Sequence, residues 1–365
     1  MTADLSPCTV GVEEEFLLVD AAGRPRSRAD DVLLRVGEHP FGGSYQQELF
    51  QTQIEAATGV CDTLEDVREQ VDRARATLSG HAEAEGVRLL ASGTPPMPGP
   101  APRLTSGERF RLITRIHGQV VAGYQACGLH VHVGVADPDL AVGVLNHLRP
   151  WLATLLALSA NSPIHHGRDT GFASWRMLEQ ARFPGSGVQP WFRSAADYNQ
   201  RLTQLLEQGL VADLAMSFWL ARRSPRWPTV EIRVADTAMT VDDAVLQAAL
   251  TRALVATALS ELDHGREAVR ADSCVAAVWN AARHGLDGPL VDPVTGDREA
   301  AADQLARLIA FVAPALEELG DLPAVRALLR AVDRHGTGAV RQRRAVRHGP
   351  RALLEALTHG ERTPS

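Results

Sequence analysis

The chain is predicted to be an α+β protein with helices covering one face of a β-sheet. Two observations carry that prediction. Several short segments alternate apolar and polar residues with the period of a strand, and long apolar stretches with helical spacing lie between them. With 365 residues and 45% hydrophobic content, the chain can bury one large core or two modest ones.

The elements follow in order. Thr9–Val19 and Gln51–Thr58 alternate as strands do. Asp62 followed by Glu65 reads as a capping box, opening a helix with Leu64, Val67, Val71 and Leu78 on one face. Val87–Ala91 is a third strand. Gly93–Arg103 reads Gly-Thr-Pro-Pro-Met-Pro-Gly-Pro-Ala-Pro-Arg, whose prolines exclude helix and central strand and predict a rigid surface loop. Leu129–Val135 and Val230–Ala235 complete the strands. Asp139–Ser159, Val241–Leu262 and Ala300–Leu319 are apolar enough to be packed helices, and a further helix closes the chain before Gly360. No repeat, Ser/Gly tract or long charge run divides the sequence, so residues 1–365 are expected to form a single catalytic unit.

The formal charge of −7 gives no broad basic field to hold a phosphate backbone, so nucleic acid is not the expected partner. The opening Met-Thr-Ala-Asp-Leu-Ser-Pro lacks the basic and apolar runs of a secretory signal, and no later stretch reads as a bilayer span; no membrane association and a cytoplasmic location are expected. Cys8, Cys61, Cys127 and Cys274 stand far apart without a Cys-x-x-Cys pair, as ordinary reduced thiols do.

The informative residues are those on alternate strand positions, because residues two apart share a face. Glu13 and Glu15 lie together, opposite Val12 and Phe16, while Glu14 breaks the pattern as an edge residue or ion-pair partner. Gln51, Gln53 and Glu55 share a face, as do His130 and His132, and as do Glu231 and Arg233. Each segment alone is consistent with a solvated outer face. Together in one sheet, these carboxylates repel each other unless cations are bound. Oxygen-rich ligation with few nitrogens and no thiolate favours Mg²⁺ or Mn²⁺ over zinc or copper. Arg233 could then hold two oxygens of a phosphate with its planar fork.

Gly11–Phe16, Glu48–Cys61, Gly128–Gly134, Leu158–Arg176 and Thr229–Asp236 together resemble the type 2 glutamate–cysteine ligases, the YbdK-type carboxylate–amine ligases of the glutamine synthetase-like superfamily. The likeness covers about residues 9–297, leaving a helical C-terminal part at about 298–360. It implies a curved antiparallel sheet forming a funnel with helices on its outer face. It also implies metal ligands at Glu13, Glu15, Glu55, His130 and Glu231, with Glu48 as a further candidate. Arg233 would contact the transferred phosphoryl group and His132 the nucleotide or phosphate. Ser174 and Arg176, in the segment resembling the family's substrate loop, would grip the acid, with Gln53 beside them. Arg222 precedes the Glu231 strand and would face nucleotide phosphates; Arg283, with Trp279, matches a helix near the nucleotide. This chain has Trp219-Leu220 where the family usually has Trp-Asp, a lost carboxylate that either changes which amine is accepted or simply alters packing.

The activity so implied is ATP-dependent amide formation, with glutamate as the acid and cysteine or another amino compound as the amine. The partners are then small molecules, and a homo-oligomer is compatible. Two alternatives stand beside it: an amide hydrolase with zinc on His130 and His132, and a non-catalytic relative that binds nucleotide or amino acid.

Overall fold

The computed structural model describes residues 8–358; the opening heptapeptide read above for the lack of a signal lies outside them. The strands are β1 (Val10–Val19), β2 (Ser44–Gln47), β3 (Gln53–Ala57), β4 (Arg88–Leu90), β5 (Gly128–Gly134), β6 (Ile164–His165), β7 (Arg168–Asp169), β8 (Ala221–Arg223), β9 (Thr229–Asp236), β10 (Pro289–Val291) and β11 (Arg298–Ala300). The helices are α1 (Ala29–Leu33), α2 (Leu64–Ala84), α3 (Glu108–His117), α4 (Pro138–Leu148), α5 (Leu152–Ser159), α6 (Trp175–Gln180), α7 (Ala195–Glu207), α8 (Val241–Asp263), α9 (Cys274–His284), α10 (Ala301–Glu318), α11 (Leu322–His335), α12 (Gly338–Val346) and α13 (Pro350–Thr358).

One antiparallel sheet runs β2-β3-β1-β5-β9-β8, with β4 paired to the end of β1 on the edge away from β3. The anticipated strands at the centre of this sheet bury their aliphatic faces under helices. Val10 and Val12, then Leu129, Val131 and Val133, then Val230, Ile232 and Val234 join one core with residues of α4, α5 and α8. Helix α8 is apolar nearly all round and is buried against α2, α4, α10 and α11. That run and Pro138–Ser159 are long and apolar enough to cross a bilayer, yet they are 67% and 72% buried inside the fold, as core helices are.

Three local expectations are corrected. The helix of Leu64–Ala84 is capped one residue later than read: the Thr63 hydroxyl accepts from Asp66 N at 3.1 Å, and the Asp66 carboxylate accepts from Thr63 N at 2.9 Å. The expected helix Asp139–Ser159 is broken at the Arg149–Trp151 turn, because Pro150 has no N–H to donate and its ring crowds the preceding turn. Gly93–Pro96 is buried rather than superficial, and only Pro98–Ala101 and Arg103 of the proline loop are exposed. Strands β2 and β8 were not anticipated.

Glu14 is an ion-pair partner. It is buried on the helix-facing side of β1, where Arg75 of α2 donates Nε to Oε2 at 2.9 Å and Nη2 to Oε1 at 2.6 Å. Arg75 also donates to the Ala238 carbonyl at 2.8 Å, tying α2 to the end of β9. Arg75→Ala leaves the carboxylate buried and unpaired, which should destabilise the fold by about 3–5 kcal/mol. Urea unfolding should show a lower midpoint with little change in slope; an unshifted midpoint would exclude this role for the pair.

Candidate active site

A cavity of about 360 Å³ lies on the polar face of the sheet. Its floor is made by strand register. Glu13 is paired across the strands with His130, Glu15 with Glu55, and His132 with Glu231. Because each pair comes from an alternating strand, the same register that interleaves the aliphatic core brings the charged groups face to face. Glu48, from the link between β2 and β3, joins them.

The contacts are close. Glu13 lies 3.2 Å from His130 Nδ1 through one oxygen and 3.2 Å from His132 Nε2 through the other. Three sets could each surround a cation: Glu13, Glu55 and His130; Glu13, His132 and Glu231; Glu15, Glu48 and Glu55. In each set the prospective ligand atoms lie within 4.8 Å of one another. The sets share Glu13 and Glu55. Nε2 of His130 is buried without a hydrogen-bond partner, and that of His132 faces only the Glu13 carboxylate, as expected of nitrogens built to meet something else.

The electrostatics show a site short of positive charge at one end. Burial and the charge of Glu15 push Glu48 up to about 8, and burial with Glu13, Glu48 and Glu15 pushes Glu55 well above the usual carboxylate range. At the other end burial also opposes ionisation of Glu231, but Arg222, Arg233 and His132 outweigh it and hold the carboxyl well below its ordinary value. Burial lowers His130, reinforced by Arg233, so its imidazole is kept neutral and able to ligate.

Arg233 does line the cavity, in contact with Glu231 and 3.3 Å from His130 Nδ1. Arg222 is largely committed elsewhere. It grips Glu231 through Nε at 2.7 Å and Nη2 at 3.0 Å, and Nη1 donates to the carbonyls of Ala215 and Ser217. Its geometry is that of a clamp on Glu231. His132 lines the cavity with Nδ1 fixed 2.9 Å from the Thr229 hydroxyl.

Arg176 also lines the cavity. It is buried, donates Nη2 to the Arg233 carbonyl at 3.2 Å, and leaves Nε and Nη1 without partners. A buried guanidinium with two idle nitrogens could receive an anion. Gly128 lets the guanidinium lie against the β5 backbone, and a Cβ there would push it aside. Gln53 lines the cavity with its amide donating to the Ala126 carbonyl at 2.9 Å.

Two predicted contacts lie elsewhere. Ser174 is fully buried away from the cavity; its hydroxyl donates to Asp236 at 2.7 Å and caps α6 by accepting from Met177 N. Arg283, on α9, lies over the Phe172 ring at 5.2 Å, outside the cavity lining, and Trp279 is 53% exposed. Leu220 is buried in the core, so the departure from the family's Trp-Asp changes packing and does not reach the cavity. His165 and His166 stack on each other at 3.9 Å and join none of the ligand sets.

Sequence reasoning passed over Asp236. It is fully buried and receives bonds from the Ser162 hydroxyl, the Ser174 hydroxyl and Asn161 N at 2.7–2.8 Å. Alternation alone misplaces it: counting by twos puts Asp236 with Ile232 and Val234, but the register of β9 on β5 shifts between Ile232 and Ala235, so Asp236 pairs with Gly128 on the Arg176 side, buried where a carboxylate needs a dedicated set of donors. Also passed over were Arg109 and an aromatic group, Phe110, Tyr124, Phe183 and Phe218, along the cavity.

The glutamate–cysteine ligase family 2 (GCS2) profile matches residues 9–359. A Saccharopolyspora erythraea protein provisionally named glutamate–cysteine ligase 2-2 is 49% identical over 356 residues, covering 96% of this chain and 91% of its own length. A Salinispora arenicola protein, provisionally named glutamate–cysteine ligase 2, is 43% identical over 361 residues, with coverages of 98% and 95%. Among solved structures, the Francisella tularensis glutamate–cysteine ligase in complex with AMP superposes with a TM-score of 0.68 at 15% identity, covering 96% of this chain and 87% of that one. The Pup ligase PafA in complex with Pup superposes at 0.56, with 15% identity and coverages of 99% and 74%. The fold is therefore the glutamine synthetase-like one expected from the resemblance, and the chain belongs to glutamate–cysteine ligase family 2.

Proposed function

We propose that this protein joins a carboxylate to an amine at the expense of ATP, with glutamate as the acid and cysteine or another amino compound as the amine. The observation that carries this is the convergence of three carboxylate-rich ligand sets with Arg233 and the half-free Arg176 in one cavity. Family membership supports the same reaction class.

A carboxylate is a poor electrophile and its oxygen a poor leaving group. The reaction overcomes both faults in two displacements. A carboxylate oxygen of the acid attacks the γ-phosphorus of ATP, the bond to the bridging oxygen breaks, and ADP departs. The amine nitrogen then attacks the acyl carbon, the C–O bond to phosphate breaks, and the nitrogen gives up a proton as the amide forms. Arg176 orients the acid through a second carboxylate, Arg233 meets the oxygens of the transferring phosphoryl group, and His132 lies beside them, held by Thr229. Glu13, Glu15, Glu48, Glu55, His130 and Glu231 fit divalent cations, because their donors are hard oxygens with buried imidazole nitrogens and their carboxylates crowd one another. Magnesium held there would neutralise phosphate charge. Arg222 keeps Glu231 ionised and aimed.

Asp236 is proposed as a positioning residue for Arg176. Its carboxylate holds Ser162, whose hydroxyl accepts from Arg176 N at 3.0 Å, and Ser174, which caps the helix that carries Arg176.

Purified protein with Mg²⁺, ATP, glutamate and an amine should release ADP and phosphate, and chelation should stop it. Glu55→Ala and His130→Ala should abolish turnover while retaining the circular dichroism of the parent; full activity in either would remove the metal-cluster arrangement. Asp236→Ala should raise the KM for the acid by as much as about 100-fold, the cost of misplacing an orienting group by roughly an ångström, with little change for ATP. Asp236→Asn, which keeps one acceptor, should recover part of the loss. An unchanged KM for the acid in Asp236→Ala would rule out the positioning role.

A further inference from the structure

The ligand sets and arginines account for only part of the cavity. One continuous part of the remainder is an apolar wall of Leu49, Phe110, Ile113, Tyr124, Phe183 and Phe218. The Phe183 and Phe218 rings stack at 4.7 Å, and Tyr124 meets Phe183 edge-on at 4.7 Å. Leu49, Phe110, Tyr124 and Phe218 are only partly buried, so the cavity meets carbon there. A polar amine such as cysteine has little to offer a surface of this kind.

The wall has a definite place along the site. Tyr124 precedes by four residues the Gly128 end of β5, where Arg176 packs. At the other end of β5, His132 bonds Thr229, which follows the Arg226-Trp227 turn. Trp227 lines the same cavity and is 63% exposed. The phosphate-facing groups therefore have their own flat ring beside them, and the inner wall stands on the acid's side. Glutamate is short and charged at both ends, with no group to lay on aromatic rings.

We infer that the inner wall is the acceptor subsite and that the amine carries an aromatic or comparably large apolar group, while Trp227 stacks on the adenine of ATP. The inference rests on the ligase activity proposed above. It adds the class of the second substrate, and it does not follow from the family name.

The test is amine-dependent ADP release by the purified enzyme with Mg²⁺, ATP and glutamate. The panel sets cysteine, alanine and ethanolamine against phenylalanine, tyramine and 2-phenylethylamine, with each amide identified by mass spectrometry. The aromatic amines should exceed cysteine in kcat/KM by at least about tenfold, since single methylenes in apolar pockets already discriminate by roughly 10–200-fold. Phe218→Ser should shrink that ratio toward one. Trp227→Ala should raise the KM for ATP by roughly fivefold or more, the weight of one base stack, with the amine ratio unchanged. Turnover that is best with cysteine or another small polar amine overturns the inference and leaves the ligase standing. So does an exchange of roles, in which Trp227→Ala alters amine preference and Phe218→Ser raises the KM for ATP. No ADP release with any amine overturns the ligase reading and the inference together.

Discussion

The structure is organised around a register that forces like charges together. Because β1 is paired with both β3 and β5, Glu13 must face His130 and Glu15 must face Glu55, and the aliphatic residues between them interleave on the other side. A slip of one residue would turn every carboxylate into the helical core and every valine into the cavity. Core packing thus fixes the register, and the register holds an electrostatically costly cluster that folding alone would not assemble. The basic end of the cluster is balanced within the protein by Arg222 and Arg233 on Glu231, and the acidic end around Glu48 and Glu55 is not. That asymmetry gives the site a direction.

Two further buried carboxylates lie outside the ligand sets, and each is fully provided for. Glu14 has Arg75, and Asp236 has two hydroxyls and a backbone N–H. They do different work. The first ties the covering helix α2 to the sheet; the second ties the segment carrying Arg176 to the strand carrying Arg233. The two cavity arginines are thereby referred to a common frame, reinforced by the bond from Arg176 to the Arg233 carbonyl.

Much of this was legible in the sequence because alternation is a local property. β1, β3, β5 and β9 could be found from their own residues, and so could the face that carries their charges. β2 and β8 could not, since a four-residue polar edge strand and a three-residue one carry too little alternation of their own and are held by backbone pairing with the strand that follows each. Ser174 was legible as important through the resemblance, but its partner Asp236 lies 62 residues away, and only the fold shows that its hydroxyl is already engaged. Arg283 failed for the same reason: a helix position says nothing of which side of the molecule it meets. The aromatic wall is drawn from several separated segments, and no spacing within any of them announces the others.

The polar face of β1 ends abruptly. Beyond Glu15, the same alternation delivers Leu17 and Val19, which are covered together with Leu90 by Leu353, Leu354 and Leu357 of α13; Ala91 N donates to the Leu357 carbonyl at 3.0 Å. A strand near one end of the described chain is thus sealed by a helix near the other. During synthesis, β1 can meet β3 and β5 early, but its apolar end stays uncovered until about residue 357 has left the ribosome. Completion of the fold is therefore a late step of high contact order. Until then the chain carries an uncovered aliphatic surface at Leu17, Val19 and Leu90, so loss of α13 would be felt first as aggregation rather than as altered chemistry.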